Sequence, residues 1–396
     1  MTSSTSTDPA GGEGLEKPKK PQPGVHSHRV IFIDLARALA VVFMLYGHTV
    51  SALLAPQYRV GAWFDVWQFQ RGLTSSLFLL LSGFAFSIAT SRRWHSHLFL
   101  SVAFANRTRR FATFVLLGYA LHFPVTQFAY LATASDERWR SFLAVDVLQL
   151  IGVTFITVQL LVLAARSRRV FTGVAFTLAL LAVVATPWVW RVEWSRTLPL
   201  WLVNYLTPSE GSQFPLFPWV GFVMLGSGLG QLYARWGAAH LSAYATQALL
   251  LPGLALVALA LAGRSFSVSL FGPGPPGAVP MDVLTRAGAC LVVLAAIAQA
   301  SRRITQLPRI FGAVAQETLL IYFVHLCIVY GSIWNPGLSQ VYGPTLTPAA
   351  TVGCVLMLLV SMVGLAWYWN WWKHTSPAGA RWMAYAAGGL LLFKLL

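Results

Sequence analysis

The stretch FIDLARALAVVFMLYGH, residues 32–48, decides how the chain is read. The apolar run around it extends from about residue 30 to 55, long enough at 1.5 Å per residue to cross a hydrocarbon core about 30 Å thick. It nevertheless carries Asp34, Arg37 and His48. Ionisable groups inside a bilayer are expensive and need a partner or a task. At 100° per residue, the eleven steps from Arg37 to His48 leave a net rotation of about 20°, and Asp34 lies about 60° from Arg37. All three share one stripe, which must face protein or a water-filled cavity. From Asp34 to His48 the stripe covers roughly 21 Å, most of the membrane's depth.

Composition agrees with a membrane reading. Of 396 residues, 56% are hydrophobic and only 10% charged, and the mean hydropathy is +0.63. A soluble globular protein is nearer a quarter charged. The formal net charge of +16 would suggest nucleic acid if it were clustered on a soluble domain. Most of it instead lies in short loops between apolar runs, so nucleic acid is not expected as a partner and the lipid bilayer is. Cys290, Cys327 and Cys354 all fall within apolar runs without paired spacing, which suits buried inert thiols rather than a disulfide frame or a zinc site.

The expected fold is all-α: a polytopic transmembrane helix bundle of 10–11 spans. Apolar runs fall near 30–55, 73–91, 111–131, 143–165, 170–190, 215–234, 245–263, 282–300, 311–334 and 348–372, with 382–396 as a short eleventh. WHSHLFLSVAFANR, residues 94–107, is too short and mixed to span and reads as an interfacial amphipathic helix. Residues 1–28, rich in Ser, Thr, Gly, Pro and Lys, read as a disordered cytoplasmic tail ahead of one transmembrane domain, 29–396.

With the N-terminus cytoplasmic, the inner loops carry Lys17, Lys19, Lys20, Arg92, Arg93, Arg107, Arg109, Arg110, Arg166, Arg168, Arg169, Arg302 and Arg303 among others. The outer loops carry Arg59, Arg71, Arg138, Arg140, Arg191, Arg196 and Arg264. That asymmetry favours a cytoplasmic N-terminus and an inner-membrane location. Aromatic clusters at span ends, WVWRVEW (188–194) and WYWNWW (367–372), read as headgroup-level anchors.

Several blocks carry a resemblance. Asp34-x-x-Arg37-x-x-Ala40 with His48 beyond it resembles the first-helix signature of the transmembrane acyltransferases, which include the acyltransferase-three family and relatives of heparan-alpha-glucosaminide N-acetyltransferase. FLLLSGFAFS (78–87), with Ser82 and Gly83, and NRTRR (106–110) resemble the blocks that follow. DVLQLIGVTF (146–155), QFPLFPWVGFVMLGSGLG (213–230) and QETLLIYFVHL (316–326) resemble the glucosaminide branch in particular. In that branch an Asn stands near the place of His48 and a catalytic His follows in the outer loop. The loop here, APQYRVGAWFDVWQFQRG (55–72), has no His, so either His48 or Asp65 supplies the base.

The resemblance implies transfer of an acyl group, in the first instance acetyl, from cytoplasmic acyl-CoA to an amine or hydroxyl of an extracytoplasmic carbohydrate. No metal is implied. Such a multiply phosphorylated donor needs a cationic binding face, for which Arg92, Arg93, Arg107, Arg109 and Arg110 are the candidates, against plain positive-inside topology for each singly. A base working near neutral pH is most simply a histidine. His48 is the first candidate, His325, three residues from Tyr322, the second, with Asp34 and Arg37 shaping the inner end of the path. Gln149 either donates to a developing oxyanion or links helices. Asp65 and Ser82 are candidate substrate contacts. The rival class is a transporter or flippase, which also places charges along a stripe. Against it stand the few acidic residues within spans and the lack of an evident inverted repeat.

Overall fold

The computed structural model describes residues 30–272 and 279–394, and the reading of 1–28 as a tail lies outside them. The described residues form sixteen α-helices in chain order: α1 Ile31–Leu53, α2 Ala62–Arg92, α3 Val102–Leu121, α4 Asp136–Leu143, α5 Val147–Ala165, α6 Arg168–Arg191, α7 Leu200–Leu206, α8 Leu216–Trp236, α9 Leu241–Tyr244, α10 Leu251–Phe271, α11 Pro280–Ser301, α12 Arg309–Gln316, α13 Thr318–Val329, α14 Leu338–Val341, α15 Pro348–Thr375 and α16 Pro377–Phe393. The described strands are the two-residue pair Gly331–Ser332 and Asn335–Pro336.

Among the described residues, seven helices are long and apolar enough to cross a membrane: α1, α2, α5, α6, the continuous segment Ala238–Phe271 that ends in α10, α11 and α15. The pair α12 and α13, bent by 72° at Glu317, makes an eighth if it is one broken span. Three more expected spans are helices that stay outside this count. α3 carries Arg107, Arg109 and Arg110, α8 is interrupted by glycines, Ser227 and Gln231, and α16 has only 17 residues.

The stretch expected as a separate interfacial helix is built differently. Trp94–His97 is one tight turn, and α3 begins at Val102. Ser101 caps it by accepting from the Phe104 N–H at 3.2 Å, and nothing in 102–121 breaks a helix. Arg107, Arg109 and Arg110 therefore ride on a long helix instead of a surface one.

Small residues set the spacing that positions the site. α2 and α8 approach so closely that a Cβ on Gly83 would strike the Val223 carbonyl and one on Gly226 the Leu80 carbonyl. Across this seam Ser87 Oγ donates to Ser227 O at 2.6 Å and Ser91 Oγ to Gln231 Oε1 at 2.8 Å. Between apolar helices there is no hydrophobic drive to associate, so close backbone packing and such hydrogen bonds hold the pair. Loop contacts gather helix ends into two faces. Arg168 donates to Ser91 O at 2.8 Å and Lys373 pairs with Glu317 at 2.5 Å on the arginine-rich face. On the opposite face the Ala55 N–H donates to Leu346 O at 3.0 Å, and Arg140 pairs with Glu210 at 2.6 Å.

Candidate active site

A cavity of about 300 Å³ opens among α1, α2, α3, α5 and α13. Its wall is aromatic: Phe78 and Phe86 from α2, Phe111 and Phe114 from α3, Phe155 from α5. Its cations are Arg37, Arg107 and Arg110, and Ser82 and Tyr322 add hydroxyls. The sequence candidates thus divide. Arg37, Arg107, Arg110 and Ser82 come together around one space, whereas Arg92, Arg93 and Arg109 are exposed and outside its lining. Asp34 stands one turn before Arg37 and interacts with it electrostatically.

Within the cavity the arginines differ. Arg107 is already engaged: it donates to Thr90 Oγ1 at 3.0 and 3.1 Å and to His97 Nε2 at 2.9 Å, and its guanidinium lies 4.4 Å from the Phe86 ring centroid. A guanidinium can only donate, so His97 Nε2 accepts and the imidazole proton sits on Nδ1. His97 lies in the turn outside the spans, where burial first and then Arg107 and Arg93 hold its pKa below the ordinary value. Arg107 therefore braces the rim, leaving Arg37 and Arg110 as the less committed cations. Ser82 Oγ donates to Phe78 O one turn earlier at 2.8 Å and still has lone pairs to offer.

From the cavity a ladder of rings runs toward the opposite face. Phe78 and Tyr322 have centroids 6.5 Å apart, Tyr322 and His325 5.6 Å, His325 and His48 5.3 Å, and His48 and Tyr330 5.5 Å. The two candidate histidines thus meet, from α1 and α13. His325 is fully buried, and its Nδ1 is 2.8 Å from Ile321 O. A carbonyl accepts only, so Nδ1 bears the proton and Nε2 is a bare lone pair. That Nε2 has no hydrogen-bond partner among the described residues. His48 is half-buried, and its Nδ1 lies 3.0 Å from the Tyr330 hydroxyl. Arg71 reaches both His48 and Tyr330 electrostatically. A buried imidazole with an open lone pair, beside a second imidazole held by a tyrosine, is suited to taking a proton from a nucleophile.

Two further candidates stand elsewhere. Asp65 is exposed in the first turn of α2. Gln149 is buried but spent locally: its Oε1 accepts from the Asp146 N–H at 3.3 Å, closing a capping box at the start of α5. Glu317, at the bend between α12 and α13, pairs with Lys373 and Asn370 from α15. Tyr330 carries no local signal, because only the tertiary fold brings it to His48, 282 residues away in sequence. Asp146 did carry a local signal, an acidic residue just before a helical run, but its tyrosine neighbours Tyr322 and Tyr330 did not.

The sequence profile of heparan-alpha-glucosaminide N-acetyltransferase, catalytic, matches residues 29–266. The match takes in the cavity helices α1, α2, α3 and α5 and ends before α13, so His325, Tyr322 and Tyr330 lie beyond it. No curated protein matches the chain. The profile covers more than half of the chain, and with the apolar helices it marks an integral membrane protein. The chain belongs to the heparan-alpha-glucosaminide N-acetyltransferase catalytic-domain family.

Proposed function

We propose that this protein is a membrane-bound acetyltransferase. It moves an acetyl group from acetyl-CoA, or the acyl group of another acyl-CoA, to an amine or hydroxyl of a sugar or glycan across the membrane. The observation that carries the reading is the continuity from the cationic, aromatic cavity through Tyr322 to the His325–His48 pair. The arginine-rich face is cytoplasmic in this reading, with the N-terminus inside, all 10–11 helices crossing the inner membrane, and the acceptor arriving from outside.

Each residue then has a task. Arg37 and Arg110, supplemented by Arg92, Arg93 and Arg109 at the entrance, hold donor phosphates by charge-assisted hydrogen bonds. The aromatic wall takes the thinner arm that leads to the thioester. Asp34 steadies Arg37, Ser82 contacts the donor, and Asp65 meets the acceptor at the outer rim. Gln149 shapes the site by fixing the start of α5. The acceptor lone pair attacks the thioester carbon, its proton passes to a histidine nitrogen, the C–S bond breaks and the thiolate takes up a proton. Positioned bases of this kind supply roughly 10²–10⁴-fold in rate.

The reading is tested by isothermal titration of acetyl-CoA into the protein in nanodiscs, wild type against Arg37→Gln and Arg110→Gln. Binding weakened about tenfold or more by either substitution is expected. Undetectable binding to wild type, or binding indifferent to both substitutions, would remove the donor assignment.

A further inference from the structure

Asp146 is a carboxyl group that the site as described does not use. It caps α5, with Oδ1 accepting from the Val147 N–H at 2.7 Å. Asn or Ser caps a helix as well as Asp does, so capping does not explain the carboxylate. Three other acids in the spanning helices or at their ends have cationic neighbours: Glu317 has Lys373 at 2.5 Å, Asp282 has Arg264 at 3.4 Å, and Asp34 interacts with Arg37. Asp146 forms no ion pair with Lys or Arg among the described residues.

What faces Asp146 is the ring ladder. The Tyr322 hydroxyl lies close enough to interact with it, and Tyr330 and His122 lie within electrostatic reach. Tyr322 is at once a wall of the cavity and an edge-on neighbour of His325, and Tyr330 holds His48 Nδ1. Both tyrosines that bracket the histidine pair therefore also face Asp146. The cation facing His48 and Tyr330 is Arg71. When an imidazole takes the acceptor proton, a second positive charge forms near Arg71, and a nearby carboxylate offsets that repulsion.

We propose that Asp146 is a positioning residue for the histidine pair, acting through Tyr322 and Tyr330, and that the site uses its charge rather than its capping bond. The inference rests on the acetyl-transfer reading above. Asp146 orients the two hydroxyls and balances the imidazolium that forms during transfer, as the third member of a nucleophile–base–orienter set does.

The test uses the full chain in phosphatidylcholine nanodiscs, with acetyl-CoA and a glucosamine acceptor, and compares Asp146→Asn, Asp146→Ala and Tyr322→Phe. Three quantities are read for each: apparent Tm, KM for acetyl-CoA, and kcat for acceptor-stimulated CoA release. Asparagine preserves the cap and an acceptor oxygen near Tyr322. Asp146→Asn is therefore expected to keep the wild-type Tm and KM while kcat falls about ten- to a hundredfold. Asp146→Ala loses Tm as well, and adding Tyr322→Phe to Asp146→Asn costs less than the two single losses multiplied. Asp146→Asn with wild-type kcat overturns the proposal, as does a kcat loss that only tracks a lowered Tm. Absence of wild-type turnover overturns the acetyl-transfer reading and this inference with it; wild-type turnover with an indifferent Asp146→Asn overturns this inference alone.

Discussion

Replacing His325 by Leu separates a residue held for chemistry from one held for packing. His325 is 0% exposed, and its Nε2 is buried without a partner among the described residues. An unsatisfied buried polar atom costs about 1–3 kcal/mol. Its one hydrogen bond, Nδ1 to Ile321 O at 2.8 Å, is worth only about 0.6 kcal/mol between membrane-embedded partners. Leucine removes both terms at modest change in volume, so the folded state should keep or gain stability by roughly 0–2 kcal/mol. The same substitution removes the open lone pair, and loss of a positioned base costs about 10²–10⁴ in rate. The expected result is acceptor-stimulated CoA release reduced at least a hundredfold, with an apparent Tm in detergent equal to or above wild type. A Tm that falls by many degrees together with activity would identify His325 as a structural residue and refute the reasoning. Full activity in a folded His325→Leu would refute it from the other side.

Three other perturbations follow from the same geometry. His97, held below its ordinary pKa near 6.5 by burial, Arg107 and Arg93, contributes stability that is present above about pH 6.5 and lost as pH falls through the lowered folded value. The apparent Tm should therefore drop on acidification from pH 7.5 to 5, and less so in His97→Gln; an identical slope in both would remove the assignment. Gly226→Ala forces a methyl onto the Leu80 carbonyl and should abolish stable expression, measured by size-exclusion of the detergent extract, whereas Gly353→Ala on α15, with open space around it, should be neutral. Gln149→Leu breaks the capping box of α5 at a cost of about 1 kcal/mol, so Tm should fall while kcat per folded molecule changes less than about threefold.

The helices were legible because lipid imposes one rule on the chain: apolar runs of about 20 residues with every backbone group bonded internally. The polar stripe of the first helix was legible for the same reason, and His48 and Arg37 lie where its periodicity places them, toward Tyr330 and in the cavity. The bend at Glu317 was not visible, since 311–334 reads as one apolar run and the partners that meet Glu317 there, Lys373 and Asn370, come from α15. The arginines of NRTRR could not be sorted by sequence alone. They alternate around a single helix, and only its packing against α5 and α13 sorts them, with Arg107 and Arg110 lining the cavity and Arg109 outside it. Gln149 presented a buried amide with two equivalent readings until its partners at Asp146 and Ala144 were in view.

The central claim is that a donor cavity on the arginine-rich face communicates with a base near the opposite face. The most direct measurement uses sealed proteoliposomes with labelled acetyl-CoA outside and a glucosamine acceptor only inside, comparing wild type with His48→Ala. Acetylated acceptor accumulating in the lumen for wild type, and at least a hundredfold less for a folded His48→Ala, is the result the account predicts. Product formed only when donor and acceptor share a compartment, or formed equally by the His48→Ala protein, would contradict it.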